Sequence, residues 1–296
     1  MDVALSLCWL FLAFPHMAET HIVDNFNECN NFFYKNKPPV GFQDTAKNKA
    51  YICQMYKDTT YFATLYDRDR RIPLFSAYKM DKKSLLNQKK LKTNQSPEFN
   101  VEPQLVYRDL PKKSMLSETE TVDSITEYNM KKSKRKNASN LLEMSQAVNA
   151  DYRESNYTRG HLNPKGHHGK GDGQEATCTL TNVVPQTKKL NGEIWKKYET
   201  EMTDIAKTCT EMFVVTGIVP GNNRLNARVN IPSHVWSAYC CIGKKGKPTS
   251  GAALASVDET IPLEHKPVME LEKHLKVLLK DFNKSNLNVF KDNCRK

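Results

Sequence analysis

The stretch Tyr157-Thr-Arg-Gly-His-Leu-Asn-Pro164, followed by Leu180-Thr-Asn-Val-Val-Pro-Gln186 and then by Asn191, Trp195 and Glu199, decides how this chain is read. Tyr157 to Leu162 should end a strand, and Thr177–Val183 is strand-like in composition. Lys188 to Lys207 reads as a helix, because Leu190, Ile194, Tyr198, Met202 and Ile205 recur at three- and four-residue spacing. Asn191 and Glu199 sit beside that apolar stripe, two turns apart or about 12 Å at helical rise. The residue types suit hydrolysis of a phosphodiester with a single metal ion. A histidine takes a proton from water near neutral pH. An amide oxygen is a hard, weak, uncharged ligand that suits a Mg²⁺ keeping most of its waters. A nearby carboxylate orients one of those waters. Arg-Gly-His by itself is too short to fix that chemistry.

Composition narrows the class. The 296 residues hold 44 Lys and Arg against 33 Asp and Glu, a net charge of +11. The mean hydropathy is −0.64 and the pI about 9.1. A polar surface with this excess of positive charge favours an acidic partner, polyphosphate first among them. Lys131, Lys132, Lys134, Arg135 and Lys136 place five positive charges in six positions, 25 residues before His161. Such a run docks a phosphate backbone without reading sequence, or is simply a solvated loop.

Several features point to export. Val3–Phe14 is twelve residues without a charge, too short to span a bilayer and fitting the core of a signal peptide. Cleavage after Ala18 would remove Asp2 as the sole charge and raise the net charge from +11 to +12. Of 8 cysteines, Cys8 leaves with that leader, so the remaining seven leave at least one unpaired or paired between chains. Cys29 and Cys53 are the preferred pair, both lying before the motif and able to pin the mature N-terminus. No Cys-x-x-Cys suggests zinc, and His167 and His168 lack the further ligand a zinc site needs. Asn94, Asn137, Asn156 and Asn283 head glycosylation sequons, that of Asn156 completed by Thr158.

Elsewhere, residues 19–50 read as an irregular arm. Tyr51–Leu65 and Ile72–Met80 read as strands of a hairpin across Asp67–Arg71. Residues 81–137 are predicted to be loops with a short strand near Val101–Tyr107. Residues 139–150 form a helix or a connecting loop, and Gly166–Gly173 a flexible loop. Met212–Val219, Val235–Ile242 and Gly251–Val257 are further strands, and Val268–Phe282 is an amphipathic helix. Tyr51, Tyr56, Tyr61 and Tyr66 recur about every five residues and are expected in the core.

The motif resembles the DNA/RNA non-specific endonuclease family of the ββα-metal type, in its branch of secreted endonuclease domain-containing 1-like proteins. Arg159-Gly160-His161, Asn182-Val-Val-Pro-Gln186 and Asn191-Gly-Glu-Ile-Trp195-Lys-Lys-Tyr-Glu199 carry the likeness. It continues through Tyr66–Tyr78, Phe213–Pro220 and Val229–Trp236, covering roughly residues 55–245. The resemblance implies an α+β fold: a single mixed domain with an antiparallel sheet and a ββα-metal motif. The division is a signal peptide over 1–18, an arm over 19–50 and the endonuclease domain over 51–296. It implies a secreted, Mg²⁺-dependent hydrolase of DNA and RNA. His161 would be general base, Asn191 the metal ligand and Glu199 the holder of metal waters, with Arg159 on phosphate and Asn182 supporting the loops. One position departs: the family's Asp before Arg-Gly-His is Thr158, which lowers the expected rate. Two other readings stay open, a nucleic-acid-binding protein with weakened catalysis and an extracellular interaction protein on a nuclease scaffold.

Overall fold

Dense Tyr, Thr, Phe and Ile usage in the first third of the chain does produce strands, one more than the composition suggests. The computed structural model describes residues 22–80, 98–279, 286–290 and 294. The leader over 1–18 and the sequons at Asn94 and Asn283 lie outside the described residues. Ile22–Val23 (β1) pairs with Lys49–Tyr56 (β2), which turns back into Thr59–Asp67 (β3) and then Ile72–Met80 (β4). The single strand expected over Tyr51–Leu65 is therefore two. The turn between them is Lys57-Asp58, with φ of 46° and 60°. This geometry matches the twist of a two-residue hairpin but carries none of the Asn-Gly or Asp-Gly wording that would reveal it.

After Tyr157–His161 (β5) and Val183–Thr187 (β6) come Glu211–Val219 (β7), Arg224–Leu225 (β8), Val229–Asn230 (β9), His234–Ile242 (β10), Pro248–Ser256 (β11) and Glu264–Lys266 (β12). The main sheet has eight antiparallel strands in the order β1-β2-β3-β4-β7-β10-β11-β12, while β5-β6 and β8-β9 stand as separate pairs. Helices Glu118–Lys131 (α1), Ala138–Ser145 (α2), Asp172–Ala176 (α3), Trp195–Ala206 (α4) and Val268–Leu278 (α5) surround it.

The central strands are buried along nearly their whole length. One face is aromatic, with Phe42 stacked on Trp236 at 5.2 Å and edge-on to Phe75. The segment before β2, mainly short 3₁₀ turns, delivers Phe26, Phe32, Phe33 and Phe42 to this core. Across the middle of the sheet, Thr64, Ser76, Thr216 and Ser237 are direct cross-strand neighbours on β3, β4, β7 and β10. Their hydroxyls hydrogen-bond in pairs, Thr64 to Ser76 and Thr216 to Ser237, each at 3.0 Å. All four are buried, so this ladder is a polar anchor inside the protein.

Four further expectations change. No strand forms near Val101–Tyr107; Asn100 and Val101 make isolated bridges and Pro103 opens a 3₁₀ turn. The stretch read as loop includes α1, capped by Ser117 and Glu120 in a reciprocal box. Its inward stripe is Thr121, Ile125 and Asn129, two of them polar, so hydrophobic periodicity is faint. Gly166–Gly173 is not an open loop either: His167 is buried and α3 begins at Asp172. The strand expected from Thr177 starts only at Val183, after a 3₁₀ turn.

Disulfides join Cys29 to Cys53, Cys209 to Cys241 and Cys240 to Cys294. Adjacent positions on β10 face opposite sides of the sheet, so Cys240 and Cys241 tie that strand to partners on both. Cys178 is buried with its thiol free. Among the described residues, no helix is long and apolar enough to cross a membrane.

Candidate active site

β5, β6 and the helix that follows form one unit. In the β5–β6 pair Thr158 stands opposite Gln186 and Gly160 opposite Val184. A Cβ on Gly160 would lie 2.3 Å from the Gln186 side chain, which is why the residue between Arg159 and His161 has none. Beyond β6 the chain makes a π-wound turn over Leu190–Ile194 and continues as α4. In an ideal α-helix Asn191 and Glu199 would be about 80° apart around the axis. The wider π turn rotates less per residue and brings them toward one face.

An open cleft of about 720 Å³ is walled in part by Thr158, Arg159 and His161. Arg159 is held from two sides. Its Nη1 donates to Asn149 Oδ1 at 2.8 Å, and its guanidinium lies 4.3 Å from the centre of the Phe99 ring. Asn149 in turn donates to Glu118 at the start of α1, at 2.9 Å. His161 packs 5.4 Å from Phe99 and its buried Nε2 has no hydrogen-bond partner among the described residues. Burial, aided by the charges of Lys165 and Arg159, pushes its pKa down to about 4. The imidazole is therefore neutral at physiological pH, the form a base requires.

Asn191 lies behind Thr158. Its Nδ2 donates to Thr158 Oγ1 at 3.0 Å, and that hydroxyl donates to the Gln186 backbone oxygen at 3.0 Å. Asn191 Oδ1 makes no hydrogen bond among the described residues. A free amide oxygen fits a hydrated hard cation. No group of three or more His, Cys, Asp or Glu could hold a metal among the described residues, so a cation here would rely on that oxygen and on waters.

Asn182 is fully committed to structure. Its Oδ1 accepts from Ser76 of the hydroxyl ladder at 2.9 Å and from the Asn163 backbone at 3.0 Å. Its Nδ2 donates to the backbone oxygens of Asn163 and Thr177, so both ends of the long β5–β6 connection are tied to the sheet. Glu199 is half-buried, and burial pushes its carboxyl up to about 8, opposed by Lys196. His167 donates from Nε2 to the Glu199 backbone oxygen at 2.9 Å and accepts the Tyr78 hydroxyl at Nδ1 at 2.8 Å. His168 donates to Asn163 Oδ1 at 2.7 Å. Both imidazoles are thus occupied.

Lys131, Lys132, Lys134, Arg135 and Lys136 are exposed but lie at the far end of α1. Along α1, Lys131 is roughly 20 Å from Glu118 at helical rise. Lys134 Nζ sits 4.2 Å over the Tyr107 ring and 4.9 Å over Tyr128. Asn137 caps α2 and Asn156 is exposed next to Tyr157, which lines the cleft. Sequence reasoning missed Phe99, Asn149, Tyr152 and Arg153, which also line it. Arg153 is signalled by nearness to the motif, whereas Phe99 reaches it only through folding.

The model of the DNA/RNA non-specific endonuclease family matches residues 44–291. The chain belongs to that family. It is 32% identical over 279 residues to the Endonuclease domain-containing 1 protein of Mus musculus, covering 91% of this chain and 48% of that one. The Homo sapiens protein of the same name is 31% identical over 274 residues, again with 91% and 48% covered. Endonuclease G of Bos taurus is 30% identical over 146 residues, 43% of this chain and 49% of that protein. This family member thus spans about half the length of the curated relatives it matches. A solved structure described as the EndoG/EndoGI complex superposes with a TM-score of 0.50 and 17% identity, covering 79% of this chain and 89% of that one. The fold is accordingly that of a ββα-metal nuclease: one mixed domain on a large antiparallel sheet.

Proposed function

We propose that the protein is a secreted, metal-dependent endonuclease that hydrolyses phosphodiester bonds of DNA and RNA with little sequence preference. The observation that carries this is a neutral imidazole and a guanidinium on the wall of one open cleft, His161 beside Arg159. His161 takes a proton from water as its oxygen attacks phosphorus. Arg159, already planted by Asn149 and Phe99, neutralises charge that builds on the phosphate oxygens. The phosphorus bond to the 3′ oxygen breaks and that oxygen takes a proton from solvent, leaving 5′-phosphate and 3′-hydroxyl ends. Asn191 Oδ1 would hold Mg²⁺ and Glu199 would accept hydrogen bonds from its waters. When bound, that ion supplies Lewis acidity at the phosphate and the leaving oxygen. Contacts of this kind go to the backbone, which carries no sequence information. Three disulfides and the apolar leader support export.

Supercoiled plasmid and a single-stranded RNA, each incubated with the purified protein and Mg²⁺ with or without chelator, test the reading. Nicking and RNA cleavage that chelator stops are expected. Retarded migration without cleavage, under Mg²⁺ or Mn²⁺, would mark a binding protein instead.

A further inference from the structure

We propose that Thr158 is the positioning residue for the metal ligand: its hydroxyl sets which way round the Asn191 amide lies. The inference rests on the proposed role of Asn191. A hydroxyl has one proton, and Thr158 spends it on the Gln186 backbone oxygen, an atom that can only accept. The second contact of Oγ1, 3.0 Å from the Asn191 amide, must then be accepted, so the amide atom facing it is the nitrogen. The oxygen is left on the other side, without a hydrogen bond among the described residues. An amide that rotated would present N–H groups to a cation and repel it. The orientation is thus set through β6, whose backbone fixes the hydroxyl, and it needs no charge at position 158. Thr158 in place of the family's Asp keeps the acceptor and drops the negative charge.

The test is direct binding of Mn²⁺, followed by loss of the free-ion signal in electron paramagnetic resonance, on the whole protein. Thr158→Val keeps the shape and loses the hydroxyl, while Thr158→Ser keeps the hydroxyl. Because the Val variant also removes the Asn156 sequon, Asn156→Gln serves as the glycan control. Wild type, Thr158→Ser and Asn156→Gln are expected to bind alike, and Thr158→Val about ten-fold more weakly, as when a ligand loses its supporting contact. DNA affinity in chelator should be the same for all four. Thr158→Val binding Mn²⁺ like wild type while Asn191→Ala binds weakly would overturn the inference alone. Unchanged binding by Asn191→Ala would overturn the ligand assignment and the inference with it.

Discussion

A base that is to take a proton from water at neutral pH has to be uncharged before substrate arrives. Burial beneath Phe99, with Lys165 and Arg159 nearby, achieves that for His161. Its replacement by alanine should slow cleavage by about 10²–10⁴-fold, the usual worth of a positioned base. DNA affinity should hold, since phosphate contacts dominate binding. Equal cleavage rates in mutant and wild type would reassign the base. Lys165 offers a finer test. Its charge lowers the pKa of His161, so Lys165→Met should raise it and move the acid limb of kcat/KM to higher pH. A limb that stays put would mean that another group sets it.

The active unit is a hairpin feeding a helix, and its tightest point is Gly160. The Cβ of Gly160→Ala would overlap the buried Gln186 side chain. Overpacking of this kind costs about 1–3 kcal/mol, and chemical denaturation should show the loss together with reduced cleavage. An unchanged denaturation midpoint would mean that the hairpin has slack the geometry does not suggest. At the other wall of the cleft, the Ser117–Glu120 box fixes the start of α1. From there Glu118 holds Asn149 and Asn149 holds Arg159. A helix cap thereby reaches the Arg159 guanidinium on the cleft wall through two hydrogen bonds.

Over the whole molecule, buried titratable groups set how stability follows pH. His161 and His167 titrate at about 4 and His168 at about 3 in the folded protein, all below the ordinary 6.5. The unfolded chain therefore binds more protons as pH falls, so their contribution is full above about 6.5 and drains away toward 4 for His161 and His167 and toward 3 for His168. Glu199 runs the other way. Its carboxyl, raised from 4.5 to about 8, contributes fully below 4.5 and loses that contribution as pH rises through 8. The metal-free protein should melt highest near pH 6.5, fall steeply on the acid side and gently on the alkaline side. Glu199→Gln should flatten the alkaline slope and steepen the rise between about 4.5 and 6.5, where the carboxyl opposes the histidines. A symmetrical curve, or an alkaline slope that survives that substitution, would contradict this account.

Much was legible in the chain before folding was considered. β4, β7, β10, β11 and the helix through Trp195 show in their own residues, because apolar spacing is a local property. The family was legible too, since the spacing from Arg159 to Glu199 is carried by one continuous hairpin and helix. Charge and cysteine parity could likewise be read; disulfide connectivity could not, though the preferred pair, Cys29 with Cys53, is one that forms. The Lys57-Asp58 turn and α1 could not, because the first lacks the usual turn residues and the second turns polar Thr121 and Asn129 inward. Only the tertiary structure brought Phe99 and Asn149 to Arg159 and set Asn182 on the hydroxyl ladder. It alone lowered the pKa of His161 and left the Lys131–Lys136 run at the far end of its helix. Burial and hydrogen bonding join residues distant in the chain, so no local pattern announces them; Thr158, a mere departure in sequence, gained its contact with Asn191 only when β5, β6 and the π turn met.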